Sequence, residues 1–238
     1  MCFSAGASFA GGAVLSAIGV ATIKTNNVPS HKLFAGIPLF FAFQQFSEGI
    51  VWLTLRSGAY PELQAASAYV FLLMALVIWP TMIPLALFKM ETDERKKKFM
   101  KAILVAGLVL SAYYSVCMLL FPVTPVINQF HIQYINGFPY ILGFVAFGIY
   151  VLATIIPLFI SSVKKMKLFA WLIFISCFIT GIFYKEYLTS VWCFFAAIIS
   201  IVVYIIIYES QPEHHIMNVR LLRTISEHNP LKNYLGRN

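Results

Sequence analysis

The sequence predicts an all-α integral membrane protein, a seven-helix bundle with its N-terminus outside and its C-terminus in the cytoplasm. Composition is the first reason: 60% of the 238 residues are hydrophobic and only 11% are charged, with 22 Phe and 12 Tyr. Soluble domains carry roughly a quarter charged residues. The second is a series of apolar runs of about twenty residues, enough to cross a hydrocarbon core near 30 Å thick. The third is where the basic residues fall. One set of alternate loops plus the C-terminal tail holds 15 of the 17 Lys and Arg, leaving only Arg56 and Lys185 on the other side. The side rich in Lys and Arg is the cytoplasmic one.

The runs fall at about 4–23, 33–55, 63–88, 99–121, 138–161, 167–184 and 188–208. The first has no basic segment before it and no cleavage site after it, so it reads as a retained helix. Asn26-Asn27-Val28-Pro29 ends it, and Ser57-Gly58-Ala59-Tyr60-Pro61 separates the second span from the third. Trp79-Pro80 and Pro84 kink the third span on its cytoplasmic side, which reads as architecture. The charged run Glu91 to Lys98 leads into the fourth span, and Pro122 to Asn136 forms the longest external connection. Within it the alternation Phe130-His131-Ile132-Gln133-Tyr134-Ile135 reads as a short extended piece across the bundle mouth. Lys164-Lys165 and Lys185-Glu186 bound the sixth span. The transmembrane domain is therefore 1–209. Residues 210–238 form a cytoplasmic tail in which Ile216, Val219, Leu221, Leu222 and Ile225 alternate with Arg220 and Arg223, an amphipathic helix lying on the membrane surface.

Glu48 is the ionisable residue well inside a predicted span. A carboxyl there is costly unless paired, neutralised or hydrated, which makes it a functional candidate in a proton-exchanging or catalytic role. Gln45, Glu48 and Trp52 share one helical face, with Gln44 beside it. The bland alternative is that the glutamines only glue helices together. The topology puts Glu48 and all four cysteines (2, 117, 177 and 193) in the outer-leaflet half, with His131 and Tyr134 in the loop above. After methionine removal Cys2 would carry both an α-amine and a thiol, a chelating pair whose softness favours zinc or copper. Cys117 and Cys177 read as small buried hydrophobes, whereas a Cys2–Cys193 disulfide is an alternative to metal binding.

Several activities lack the residues they need. No lysine lies well inside a span for a retinal Schiff base, no span holds histidines for bis-His haem or for membrane zinc hydrolases, and no nucleotide motif is present. The net charge of +8 sits beside apolar spans, where anionic lipid rather than nucleic acid is the partner.

Met1-Cys2-Phe3-Ser4-Ala5, Gln44-Gln45-x-x-Glu48-Gly49-x-x-Trp52, Trp79-Pro80 with Pro84, His131-Ile-Gln-Tyr134 and Trp192-Cys193-Phe194-Phe195 occur in that order. Together they make the chain resemble an uncharacterised family of bacterial multi-span membrane proteins known by its Met-Cys-Phe-Ser opening. The resemblance implies a bundle of about seven helices in the bacterial inner membrane and brings no activity. Its motifs mark Cys2, Gln45, Glu48, His131 and Cys193.

The leading expectation is a pocket in the outer leaflet half where Cys2, Glu48, His131 and Cys193 hold Zn²⁺ or copper. Gln44, Gln45, Tyr134 and Trp192 would surround it, and a small molecule or lipid would be the ligand. A zinc with an open position could activate water, an enzymatic extension of the same site. The alternatives are a proton-coupled transporter gated by Glu48, and a receptor-like or scaffold protein acting through its tail.

Overall fold

The computed structural model describes residues 4–128 and 130–211, so Cys2 and nearly all of the amphipathic tail lie outside the described residues. Ser4 caps α1 (Ala5–Thr25), its hydroxyl accepting from the Ala7 N–H. A short α2 (Lys32–Ala35) leads into α3 (Ile37–Ser57), which runs back along α1. The two helices approach closely through reciprocal notches: the Phe46 ring covers Gly12 and the Phe9 ring covers Gly49. A Cβ at Gly12 would stand 2.8 Å from the Phe46 ring, so any larger residue would have to displace that ring. Gly58, at φ +63, closes α3 in the left-handed region.

α4 (Pro61–Leu72) continues through a six-residue π stretch, Leu73–Ile78, into α5 (Trp79–Met90). Pro80 has no N–H to give, so the Ala75 and Leu76 carbonyls, five and four residues before it, lose that helical donor. Neighbouring helices bond to carbonyls of this stretch. The Tyr150 hydroxyl donates to the Ala75 carbonyl at 2.6 Å, and the Ser111 hydroxyl to the Val77 carbonyl at 2.7 Å. Gly107 brings the next helix against the Pro80 carbonyl, where any Cβ would overlap it.

That next helix is α6 (Glu94–Leu120), opened by Asp93, whose carboxylate accepts from the Arg95 and Lys96 N–H groups. α7 (Tyr140–Ile160), α8 (Met166–Phe183), α9 (Leu188–Ile199) and α10 (Ile201–Glu209) complete the bundle. Between α6 and α7 an antiparallel hairpin pairs β1 (Val123–Asn128) with β2 (His131–Asn136), in a register running from Val123↔Asn136 to Asn128↔His131. The expected extended piece is β2. Its partner strand was not expected, because Pro122 and Pro125 read as loop; Pro125 is tolerated in a two-stranded ribbon whose outer edge is free. The bundle is all-α and the hairpin is the departure from it.

Among the described residues six helical stretches are long and apolar enough to cross a membrane: Ala5–Thr25, Pro61–Met90, Glu94–Leu120, Gly143–Ile160, Met166–Phe183 and Lys185–Glu209. The chain is a multi-pass membrane protein by that measure. α3 matches α1 in length at 21 residues but falls short in apolarity, because Gln44, Gln45 and Glu48 occupy its middle. The outward surface is inverted relative to a soluble fold: Leu119 is 86%, Phe144 82% and Phe183 73% exposed. The interior is centred on Phe34, Phe41, Trp79, Tyr150 and Trp192.

Candidate functional site

α3 is packed against α1, α4, α9 and α10, so its polar middle faces protein. Gln44, Gln45 and Glu48 are all buried. Gln44 and Glu48 are one turn apart on α3, and Ser190 and Cys193 are one turn apart on α9, which runs the opposite way. The result is a two-rung ladder between the helices. On the upper rung the Ser190 hydroxyl donates to a Glu48 carboxyl oxygen. On the lower rung the Gln44 side chain faces the Cys193 thiol. A third helix joins there, since the Trp79 indole N–H donates to the Gln44 carbonyl oxygen at 2.9 Å. Tethering Gln44 in this way fixes which side of its amide meets Cys193. The second Glu48 oxygen has no hydrogen-bond partner among the described residues, and neither ion pair found there includes Glu48.

Below the lower rung lies a small, half-open chamber of about 50 Å³. It is bounded by five helices: α3 (Ile37, Phe41), α5 (Trp79, Ile83), α7 (Tyr150, Thr154, Leu158), α8 (Phe169, Ile173) and α9 (Trp192, Cys193, Ala196). Its walls are almost entirely apolar. The Tyr150 and Thr154 hydroxyls have committed their protons, to the Ala75 and Tyr150 carbonyls respectively. The Trp192 indole N–H is buried and has no partner among the described residues, so it is a donor in hand. Trp192 also meets Tyr150 edge to face, with ring centres 5.4 Å apart. Gln45 points elsewhere, to the floor of a separate groove between α1, α3, α9 and α10.

The hairpin covers the Glu48 end of the ladder. Ile132 is fully buried against Val51 and Trp52 of α3 and Ala68 of α4. Tyr134 stacks on Phe71 with ring centres 5.0 Å apart. His131 is buried at the hairpin turn against Tyr184 and Tyr187, at 5.3 and 4.9 Å between ring centres, and this burial lowers its pKa. The structure thus brings Glu48, Gln44 and Cys193 together, places Trp192 on the chamber wall, and sets Tyr134 and His131 in the cover rather than on the ladder.

Cys193, Cys177 and Cys117 are free buried thiols. Among the described residues no three His, Cys, Asp or Glu side chains converge closely enough to share a metal ion. Sequence reasoning missed three residues of the site. Ser190 was detectable, being three residues before Cys193 and hence on the same face. Trp79 and Tyr150 carried no such signal: Trp79 read as part of a kink, and Tyr150 as one aromatic among many.

A sequence comparison settles the kinship, matching residues 1–217 to a family of unknown function. The chain belongs to the family DUF6629. No curated protein and no solved structure matches it. The family match spans α1 through α10, so the ladder, chamber and hairpin all fall within it.

Proposed function

We propose that the protein spans the bacterial inner membrane seven times, N-terminus outside. In this reading it is a proton-linked carrier of a small, mostly apolar molecule that bears a hydrogen-bond acceptor. α3 is the second of these spans, added to the six that length and apolarity mark. It crosses without strong apolarity because protein, not lipid, surrounds its polar middle. The observation that carries the function is the apolar chamber beneath the Gln44–Cys193 rung, one helical turn from the buried Glu48–Ser190 rung. Apolar walls supply the affinity, and the Trp192 N–H orients the guest's acceptor. Glu48 is the proton-exchanging gate: the hairpin closes one side of it and the chamber lies on the other.

Trp79 and Trp192 line the chamber, so occupancy is readable by tryptophan emission. Titration of the purified protein with a panel of small aromatic ketones and alcohols should give saturable changes for a subset carrying acceptors. Ala196→Phe, which fills the chamber, should remove them. Glu48→Gln should keep binding but lose its pH dependence. An unchanged titration in Ala196→Phe sinks the chamber as the site, and an unchanged pH profile in Glu48→Gln sinks the gate.

A second reading, a transition-metal site for zinc or copper, draws on the same rungs, which put the Glu48 carboxyl and the Cys193 thiol on neighbouring turns. Its third ligand would be Cys2 rather than His131. Metal content of the purified protein, wild type against Cys2→Ser, tests it, and equal metal in both defeats it.

A further inference from the structure

At the opposite end of α3 from the hairpin a groove opens between α1, α2, α3 and α5. Lys32, the first residue of α2, and Lys89, in the last turn of α5, both line it, and both are exposed. The two come from segments 57 positions apart, brought together because α2 packs against α5. The rest of the wall is apolar, with Ile23 of α1 and Leu39 and Phe40 of α3 lining the groove beside the lysines.

Among the described residues no acid is paired with either lysine. Glu91, two residues beyond Lys89, has its carboxylate occupied by the Thr92, Asp93 and Ser162 N–H groups at 2.9, 3.1 and 2.8 Å. Asp93 caps α6. Two ammonium groups with no ion-pair partner among the described residues, over an apolar slot at the bundle end that carries most of the basic residues, match an anionic headgroup with its acyl chain attached.

We infer that this groove binds one anionic phospholipid, with its phosphate between Lys32 and Lys89 and its acyl chain along Ile23, Leu39 and Phe40. The inference rests on the membrane reading and is independent of the chamber and of Glu48. Binding of phosphatidylglycerol to detergent-solubilised protein, followed by thermal shift and by native mass spectrometry, tests it. Wild type should show saturable stabilisation and a bound phospholipid, and phosphatidylcholine of the same chains should give neither. In Lys32→Gln/Lys89→Gln the apparent affinity should fall about 30-fold, the combined surface contribution of two lysines. Lys32→Arg/Lys89→Arg should retain it, as should Lys98→Gln/Lys101→Gln, which removes the same charge elsewhere at that end. Equal loss in the Lys98/Lys101 pair would mean diffuse attraction and overturn the site. So would an equal shift from inorganic phosphate alone, which would mean a free anion. A shift that follows protein concentration in phosphatidylcholine would make a second copy the occupant and overturn it equally.

Discussion

The Glu48–Ser190 rung is open to a quantitative test. Among the described residues the Ser190 hydroxyl is the donor to the Glu48 carboxyl, and both residues are essentially fully buried. Ser190→Ala removes the donor and leaves a buried acceptor without it, which costs about 1–3 kcal/mol. Glu48→Leu removes the acceptor and keeps the volume. The same hydroxyl cannot be lost twice, so the double variant should be less destabilised than the sum of the two. The coupling should be about 0.6–2 kcal/mol, the range of polar contacts between membrane helices. For a chain of this size each kcal/mol moves the melting temperature by about 2–4 °C. Unfolding in mixed micelles, followed by tryptophan emission for the wild type, two singles and the double, completes the cycle. Additivity within about 0.5 kcal/mol, the limit for independent sites, would refute the rung.

Gly107→Leu should be severely destabilising, by about 3 kcal/mol or more, because α6 must move off the Pro80 carbonyl; a near-normal melting temperature would show that α6 and α5 do not meet there. Glu91→Ala should cost about 1.5–3 kcal/mol by releasing the Thr92, Asp93 and Ser162 N–H groups, read by the same melts. Those hydrogen bonds outweigh the effect of burial and hold the Glu91 carboxyl below its usual 4.5. Its contribution is therefore fully present above pH 4.5 and is lost as pH falls through the lower folded value, so wild type and Glu91→Gln should converge in acid. Tyr150→Phe should cost about 1–3 kcal/mol by leaving the Ala75 carbonyl buried and unpaired, while Thr81→Val, at a half-buried hydroxyl pair with Ser111, should cost less than that in the same assay.

Six of the seven expected runs fall on helices long and apolar enough to cross a membrane, because length and apolarity register in a sequence directly. The ladder was half legible. Helical spacing put Gln44 and Glu48 on adjoining positions, and the expense of a buried carboxyl marked the centre. Pairing between α3 and α9 was not legible, because opposition of two helices 142 residues apart at the Ser190–Glu48 contact leaves no local pattern. The π stretch was equally hidden. Pro80 and Pro84 announced a kink, yet the partners of the carbonyls there, Tyr150 and Ser111, are set by packing alone. β1 was missed because two prolines outweighed a pattern of alternating burial at Val123, Thr124 and Pro125.

These features have a common cause in α3. A helix ringed by other helices is relieved of the need to be apolar, so its middle is free to hold Gln44, Gln45 and Glu48. The same ring imposes the demand that every polar atom there find a protein partner. α9 meets part of it with Ser190 and α5 with Trp79, while the second Glu48 oxygen has no partner among the described residues. Trp79 can reach Gln44 because the π stretch just before it resets the face that α5 presents. Tyr150 and Ser111 in turn bond to carbonyls of that stretch. The chamber forms where the three adjustments meet, between the Trp79 side of α5, the Tyr150 side of α7 and the Cys193 side of α9. A bundle built only to be stable would have avoided the carboxyl, the π stretch and the void together. Their adjacency is the strongest reason to place function at Glu48 and the chamber beneath it.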